Sequence, residues 1–430
     1  MQQGAAGAME ASPTPVQALI DSVKSLRALA IEAQAADELL GALTSAAVAR
    51  WPELASHLER FGWARSAEAG APDGTGTWTS TVDLHGLTSC LQKFKYERLG
   101  QLGSGSYGVV YKARNRETNE VLAIKKLKHT SDESGLPDST IREICVLREL
   151  RHENVVQLVD IISTINSSHV YLVMECLDCD LRYYLDTCTD ASDLAVIKSI
   201  VFQILRAVHH SHTNLVLHRD LKPQNILVDK ARGVVKVTDF GLARQYLPPH
   251  KAYSEKVITL YYRAPELLLG SPHYSSAIDL WSVGCIMAEL ANFDPLFRAD
   301  SEIGLIHKIF ETLGTPTEAM WPGVTTLEHY RPCFPQWPPK ALAQVVPRLA
   351  ADPQALHLLG RMLTYDPRVR ITAAQALAHP WFWDLHCTPA NTLAARMAAQ
   401  AAHQQVQAHQ QAAAMQGQEQ GHQQPTAARA

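Results

Sequence analysis

The sequence predicts an α+β fold, with strands at the start of its central region and helices after them. A glycine-rich segment, Gly103–Gly108, is flanked by residues that alternate as in a strand hairpin. The apolar run Val121–Lys125 predicts a further strand, and the residues around Glu143 are predicted to form the helix that follows. Short motifs rich in charged residues then begin at His218. The central region is therefore predicted to carry the function.

Three short motifs follow one another in a fixed order in the second half of this region. His218-Arg219-Asp220-Leu221-Lys222-Pro223-Gln224-Asn225 is followed by Asp239-Phe240-Gly241 and then by Ala264-Pro265-Glu266. Phosphoryl transfer needs a carboxylate at the attacking hydroxyl, oxygen ligands for Mg²⁺ and cations on the phosphates. The motifs can supply all three from Asp220, Asn225, Asp239 and Lys222. Their order and spacing resemble the catalytic loop, metal-binding turn and activation-segment end of a eukaryotic protein kinase.

The glycine-rich segment, Leu102–Val110, fits the same chemistry. A single G-x-G-x-x-G pattern is weak on its own and also occurs in dinucleotide-binding folds. Here strand-like residues surround it, which favours the hairpin that kinases place over the ATP phosphates. Glycine allows the backbone to come close to those phosphates. Lys125 is then expected to contact the α- and β-phosphates, with Glu143 as its partner.

The segment Pro137–Glu143, with the sequence P-D-S-T-I-R-E, resembles the PSTAIRE helix that a cyclin grips in cyclin-dependent kinases. The resemblance to this family extends from about Tyr96 to Asp384, and the helix is nearest to the branch that pairs with D-type cyclins. It implies the bilobal eukaryotic protein kinase fold, with a small β-rich N-lobe that has one main helix and a larger, mainly helical C-lobe. It also implies ATP and Mg²⁺ as cofactors and a cyclin as partner.

The resemblance assigns roles to individual residues. The catalytic residues would be Asp220, Lys222, Lys125 and Glu143, and the metal ligands Asn225 and Asp239. The ATP-binding residues would be Leu102, Gly103, Ser104, Gly105, Ser106, Tyr107, Gly108, Val109, Val110, Ala123, Lys125, Met174, Glu175, Leu177, Asp180, Gln224 and Leu227. The substrates would be protein Ser/Thr-Pro sites, because Arg263 and the backbone of Val257–Ile258 resemble the arrangement that favours proline after the acceptor. A role in G1/S control with a retinoblastoma-type substrate, in nucleus and cytoplasm, is expected.

Regulation by phosphate is implied in the same way. Ser254 lies where this family takes its activating phosphate, which a separate activating kinase would add. Guanidiniums that converge without an anion repel one another, so the phosphate would be received by Arg142, Arg219 and Arg244. A phosphate on the glycine-rich loop would repel the ATP phosphates, which makes Ser106 and Tyr107 candidate inhibitory sites. The alternative is that these two are ordinary residues of a hairpin tip.

Composition divides the chain into regions. Apolar spacing from Val16 to Leu26 predicts a helix in the N-terminal extension, which either packs on itself or the kinase or forms a docking module. The predicted regions are a flexible N-terminus (1–14), a helical extension (15–63), a linker rich in Gly, Ala, Ser and Thr (64–95), a kinase domain (96–386, with N-lobe 96–177 and C-lobe 178–386) and an Ala/Gln-rich tail (387–430).

Charge and cysteine content exclude several other classes. The net charge of −4 over 430 residues gives no electrostatic case for nucleic-acid or membrane binding. The eight cysteines are scattered, and the C-x-x-C formed by Cys176 and Cys179 falls at the expected hinge, so zinc or redox chemistry is not predicted. No apolar run approaches the ~20 residues of a membrane span.

Three alternatives to a cell-cycle enzyme stay open at this point. A pseudokinase scaffold usually lacks a catalytic Lys or Asp, and the sequence has all of them. A mitogen-activated kinase would carry a T-x-Y pair where this chain reads Ala252-Tyr253-Ser254-Glu255. Transcription- or splicing-associated cyclin-dependent kinases tend to differ in the cyclin helix, so P-D-S-T-I-R-E favours the cell-cycle type.

Overall fold

The computed structural model describes residues 63–65, 78–80, 95–105, 108–127, 138–164, 169–187, 193–240, 243–245, 260–272 and 274–385. The predicted N-terminus (1–14), the extension up to residue 62 and the tail (387–430) lie outside these residues, so those predictions are not tested. The chain divides into two compact units. The first contains the residues up to 140 and residues 158–176, and the second contains residues 141–157 and the residues from 177 onward. A sheet-containing unit and a mainly helical unit confirm the predicted α+β class.

The first unit contains seven of the described strands. They are β1 (Trp63–Arg65), β2 (Trp78–Ser80), β3 (Tyr96–Gly105), β4 (Gly108–Asn115), β5 (Val121–Leu127), β6 (Leu158–Thr164) and β7 (His169–Glu175). The strands β3-β4-β5-β7-β6 form an antiparallel sheet in that order. Alternate apolar side chains of β4 to β7 form its buried core: Ala113, Leu122, Ile124, Ile162 and Val173.

The short strands β1 and β2 pair with each other in antiparallel register. All residues of this ladder except Trp63 fall inside the predicted linker, 64–95, and Trp63 is the last residue of the predicted helical extension. This ladder differs from the predicted linker, because the Gly- and Ser-rich composition around it indicates a loop. Tryptophan and threonine favour strands, and Trp78 and Thr79 supply that local preference.

The second unit is built mainly from helices. They are α1 (Asp138–Glu149, whose first three residues belong to the first unit), α2 (Leu181–Thr187), α3 (Leu194–Thr213), α4 (Pro265–Leu268), α5 (Ala277–Asn292), α6 (Glu302–Leu313), α7 (Leu342–Val345), α8 (Pro353–Met362) and α9 (Ala373–Leu377). Helix α5 is buried along its length because it is apolar on all sides. Its two buried carboxylates, Asp279 and Glu289, are exceptions that call for partners.

Side chains that cap the helix ends fix where several helices begin. Asp193 accepts a hydrogen bond from the Ala195 N–H at the start of α3, and Asp352 caps α8. Thr372 forms a capping box with Gln375 at the start of α9. These caps satisfy backbone donors that have no partner inside a helix.

Short strands in the second unit place the catalytic motifs. They are β8 (Cys179–Asp180), β9 (Val216–Leu217), β10 (Ile226–Asp229), β11 (Val234–Val237) and β12 (Arg244–Gln245). Strand β10 pairs with β11 on one side and β8 on the other, and β12 pairs with β9. Among the described residues, no helix is both long enough and apolar enough to cross a bilayer.

Candidate active site

The predicted glycine-rich loop is the turn end of β3 and β4. Its last cross-strand pairs are Gly103–Val110, Ser104–Val109 and Gly105–Gly108. The tip residues Ser106 and Tyr107 lie outside the described residues. Gly108 has a φ of 153°, and a Cβ there would lie 2.1 Å from the carbonyl oxygen of Lys126. Glycine is therefore required at this position by the close approach of β5.

Four of the predicted ATP-binding residues share one face of the five-stranded sheet. Ala123 and Lys125 are two residues apart on β5, so their side chains leave the strand on the same side. Val110 is paired with Lys125 and Met174 with Ala123, and side chains of paired residues lie on the same face. Lys125 is 7% exposed. The strand pairing thus groups a buried cation with apolar side chains on one face of the sheet.

Glu143, the predicted partner of Lys125, lies on α1 and is 3% exposed. A buried carboxylate needs a counter-charge or hydrogen-bond donors. Lys125 and Glu143 belong to different compact units, so their pairing stays a prediction.

The catalytic loop brings Asp220, Lys222 and Asn225 together within the second unit. Lys222 Nζ donates to Asp220 Oδ2 at 2.7 Å, and Asn225 Nδ2 donates to the same oxygen at 3.0 Å and to the Asp220 carbonyl at 2.8 Å. Asp220 is 4% exposed, and its other carboxylate oxygen, Oδ1, has no hydrogen-bond partner among the described residues. One oxygen is therefore held by the protein while the other can accept a proton.

Asp279 on α5 anchors the backbone of this loop and is not among the site residues predicted from the sequence. Its carboxylate accepts hydrogen bonds from the N–H of His218 at 2.9 Å and of Arg219 at 2.8 Å. His212 Nε2 lies 2.8 Å from the same carboxylate. Burial acts to raise the pKa of Asp279, but the hydrogen bond and charge of His212 outweigh it and hold the pKa below its ordinary value. The signal in the sequence is that Asp279, like Glu289, is an acidic residue within a long apolar helix.

The two predicted metal ligands lie at the same end of the β10–β11 ladder. Ile226 pairs with Val237, and the Thr238 N–H donates to the Asn225 carbonyl at 3.0 Å, so Asn225 lies beside the residue that precedes Asp239. Asp239 has a φ of 64°, a conformation that is uncommon for a residue with a side chain. The structure therefore brings an amide and a carboxylate to one edge, beside the Asp220 loop.

The neighbouring Phe240 fixes the start of the segment that follows. Its ring is completely buried and meets the His218 ring edge-on, with centroids 4.8 Å apart. His218 Nε2 in turn lies 3.0 Å from the Thr238 carbonyl oxygen. These contacts tie the residues on both sides of Asp239 to the catalytic loop.

A protein-family model described as "Protein kinase domain" matches residues 96–382, more than half of the chain. The chain belongs to the protein kinase family. Membership implies ATP as phosphoryl donor, Mg²⁺ as its metal and proteins as substrates.

The donor groups of this kinase suit Mg²⁺ bound together with phosphates. No cluster of three or more His, Cys, Asp or Glu side chains suited to a metal occurs among the described residues. Mg²⁺ is ordinarily held by one or two protein side chains and completed by substrate phosphates and water. Asn225 and Asp239 match that requirement, and the unpaired Oδ1 of Asp220 lies on the same loop.

The remaining predicted nucleotide residues lie in both lobes, and strands β8 and β10 carry two of those in the C-lobe. Asp180 pairs with Leu227 across these strands, and Asp180 Oδ1 also accepts a hydrogen bond from the Tyr183 N–H at 2.8 Å, at the start of α2. Glu175 ends β7 and Leu177 follows two residues later. Gln224 is exposed in the 3-10 turn Pro223–Asn225. In the N-lobe, Leu102 is 50% exposed at an irregularity in the β3–β4 register.

The phosphate-receiving residues are only partly described. Arg219 donates from Nη1 to the hydroxyl of Tyr274 at 2.7 Å. The backbone of Arg244 pairs with Leu217, directly before the catalytic loop. Ser254 and the side chains of Arg142 and Arg244 lie outside the described residues, so the convergence of the three arginines stays a prediction.

Glu266 of the Ala264-Pro265-Glu266 motif is held by a partner far along this kinase chain. Arg370 donates to both of its carboxylate oxygens, at 2.7 and 2.8 Å, and both side chains are completely buried. Arg370 also donates to the carbonyls of Ala277 and Thr364 at 2.8 Å. The sequence motif contains Glu266 but does not indicate its partner. The pair links the end of the activation segment to the start of α5.

Proposed function

We propose that this protein kinase is a cyclin-dependent serine/threonine kinase that transfers the ATP γ-phosphate to Ser or Thr followed by Pro. The observation that carries the catalytic part is the Asp220 carboxylate, with one oxygen bound by Lys222 and Asn225 and the other unpaired. A cell-cycle role at G1/S, with a D-type-like cyclin, a retinoblastoma-type substrate and a location in nucleus and cytoplasm, rests on the resemblance alone.

The proposed chemistry follows from the two sides of the Asp220 carboxylate. Oδ1 accepts the proton of the substrate hydroxyl as that oxygen bonds to the γ-phosphorus, while the bond from the γ-phosphorus to the β–γ bridging oxygen breaks and ADP leaves with its electron pair. Lys222 on Oδ2 offsets the negative charge that develops on the transferred group. Asn225 and Asp239 would hold Mg²⁺, which would supply positive charge to the phosphates. Asp279 keeps the loop backbone fixed, so little reorganisation is needed during the reaction.

The proposed nucleotide contacts of the first unit use the residues of β3, β4, β5 and β7 described above. The glycine-rich hairpin covers the phosphates, Lys125 contacts them, and Ala123, Val110 and Met174 provide apolar surface beside the base. A buried lysine needs an anion, and the phosphates and Glu143 are suitable ones.

Dependence on a cyclin is supported by α1. This helix carries the D-S-T-I-R-E part of the motif, with Glu143 buried. Ile141 is 47% exposed and Cys145, one turn later, is also exposed, so an apolar strip faces away from the buried side of the helix. A partner that packs on this strip would fix the position of Glu143 relative to Lys125.

Two experiments test the proposal. Asp220→Asn should retain the melting temperature of the wild type and lower turnover on a Ser-Pro peptide by about 10² to 10⁴-fold. The matched control, Asp294→Asn, removes an exposed carboxylate near Arg298 and should leave turnover unchanged. Wild-type turnover in Asp220→Asn at saturating ATP would contradict the catalytic assignment.

The second experiment addresses the partner and the activating phosphate. The isolated chain should phosphorylate the peptide far more slowly than the same chain with a D-type cyclin, and Ser254→Ala should lower the activity of that complex. Equal rates with and without any cyclin would refute cyclin dependence while leaving the kinase activity itself intact.

A further inference from the structure

A small cavity lies behind the catalytic loop, inside the second unit. Its volume is about 10 Å³, and its walls include Asp220, Arg263, Ala264, Leu267 and Ile278. A cavity of about 10 Å³ is just large enough to hold one water molecule, which needs two to four polar partners. Polar residues also line it, namely Asp220, Asp279, Arg219, Arg263, Tyr262 and Ser282, so the walls combine apolar side chains with groups that can bind water.

Arg263 enters this region from the segment before Ala264-Pro265-Glu266. It is 9% exposed, and its N–H donates to the Leu260 carbonyl at 2.9 Å, which fixes the backbone in the 3-10 turn. Its outer nitrogen Nη1 is paired with Glu302 at the first residue of α6. The guanidinium is therefore anchored at its outer end by a carboxylate on the surface.

The inner nitrogen of the same side chain is a buried donor, and Arg263 Nε has no hydrogen-bond partner among the described residues. Asp220 Oδ1, a buried acceptor, also has none. An unpaired buried polar group costs about 1–3 kcal/mol, and more when it is charged. The two unpaired atoms have complementary character, and their residues line the same cavity.

We infer that Arg263 positions the catalytic carboxylate through one water molecule held in this cavity. The water accepts from Arg263 Nε and donates to Asp220 Oδ1, which satisfies both atoms at once. Lys222 and Asn225 hold Oδ2 from the other side, so the carboxylate is restrained at both oxygens. Oδ1 keeps a second lone pair for the substrate hydroxyl.

The inference rests on the proposed role of Asp220 as the base and adds a second role for Arg263 besides proline recognition. The two roles predict different effects of an Arg263 substitution on the kinetics of different peptides. Proline recognition affects peptides with and without proline differently and acts on KM. Positioning of Asp220 affects every acceptor peptide equally and acts on kcat.

The experiment is a double-mutant cycle on the cyclin complex with Ser-Pro and Ser-Ala peptides. Arg263→Lys keeps a cation that reaches Glu302 but lacks the inner N–H, and Asp220→Asn removes the base. Arg263→Lys alone should lower kcat about tenfold on both peptides with KM for ATP unchanged. In the Asp220→Asn background the same change should lower the residual rate by less than about twofold, because there is no base left to position.

Two comparisons separate the possible outcomes. Glu302→Gln removes the outer ion pair but keeps Nε, so kcat should stay within about twofold of wild type. A crystal structure of the complex should show one water between Arg263 Nε and Asp220 Oδ1. An effect of Arg263→Lys confined to the Ser-Pro peptide, or a tenfold loss that persists in Asp220→Asn, would overturn the inference. A wild-type rate in Asp220→Asn would instead refute the proposed function.

Discussion

Asp279→Asn is the substitution for which the structure predicts both a stability loss and a catalytic loss. The wild-type carboxylate binds two backbone N–H groups at 2.8 and 2.9 Å and His212 at 2.8 Å. Asparagine has the same shape but only one acceptor oxygen, so one backbone N–H would face an amide NH₂. Hydrogen bonds to a charged group contribute about 1.5–3 kcal/mol each, and an unpaired buried donor costs about 1–3 kcal/mol. The free energy of unfolding should therefore fall by about 3 kcal/mol.

The assay is urea unfolding of the wild type, Asp279→Asn and the surface control Asp294→Asn, with turnover measured on the same preparations. The control should change the free energy of unfolding by less than about 0.5 kcal/mol, because its ion pair with Arg298 is exposed. Asp279→Asn should also lower kcat, since the catalytic-loop backbone loses an anchor. A stability within about 1 kcal/mol of wild type, together with unchanged kcat, would refute this reasoning.

The same carboxylate predicts a pH dependence. The pKa of Asp279 is lower in the folded protein than its ordinary value of 3.8, so its stabilising effect is fully present above pH 3.8. It is lost as the pH falls through the folded pKa, where the carboxylate gains a proton. The stability difference between the wild type and Asp279→Asn should therefore be constant near neutral pH and shrink below pH 3.8. A difference that grows on acidification would contradict the assignment.

Three further predictions follow from contacts outside the catalytic loop. Gly108→Ala should weaken ATP binding and lower the melting temperature, because the new Cβ would lie 2.1 Å from the Lys126 carbonyl oxygen; ATP titration and thermal melting check this. Arg370→Met should lower the free energy of unfolding by about 3–5 kcal/mol, as it leaves the Glu266 carboxylate buried without its cation; urea unfolding checks this. Thr372→Ala should cost about 1 kcal/mol by the same measurement, because it removes the cap of α9.

Matched controls exist for two of these changes. A Cβ at Gly103 would meet no described atom within 4 Å, so Gly103→Ala should leave the melting temperature near that of the wild type. Arg298→Met removes a guanidinium whose side chain is 70% exposed and whose partner Asp294 is 65% exposed, so its effect on stability should be much smaller than that of Arg370→Met. If a variant and its control lowered stability equally, close approach of the backbone (for Gly108) or burial of the ion pair (for Arg370) would not be the cause of the loss.

Much of the candidate site could be predicted from the sequence because its residues are close together along the chain. The catalytic loop places Asp220, Lys222 and Asn225 within one short segment, and a loop with a 3-10 turn brings them into contact. The strand around Lys125 could be predicted from its apolar run, and β5 follows that prediction. The ladder formed by β1 and β2 could not, because its residues lie in a composition typical of linkers.

The amino-acid sequence alone specifies which chemical groups are present and the local strands, turns and caps that hold them. Short-range preferences and side-chain chemistry are enough for that. Tertiary structure decided how those groups are supported. Asp279 binds the loop backbone from 60 residues away, and Arg370 binds Glu266 across 104 residues. A buried charge signals in the sequence that a partner exists, but only packing selects which distant group supplies it, because many alternatives have the same local pattern.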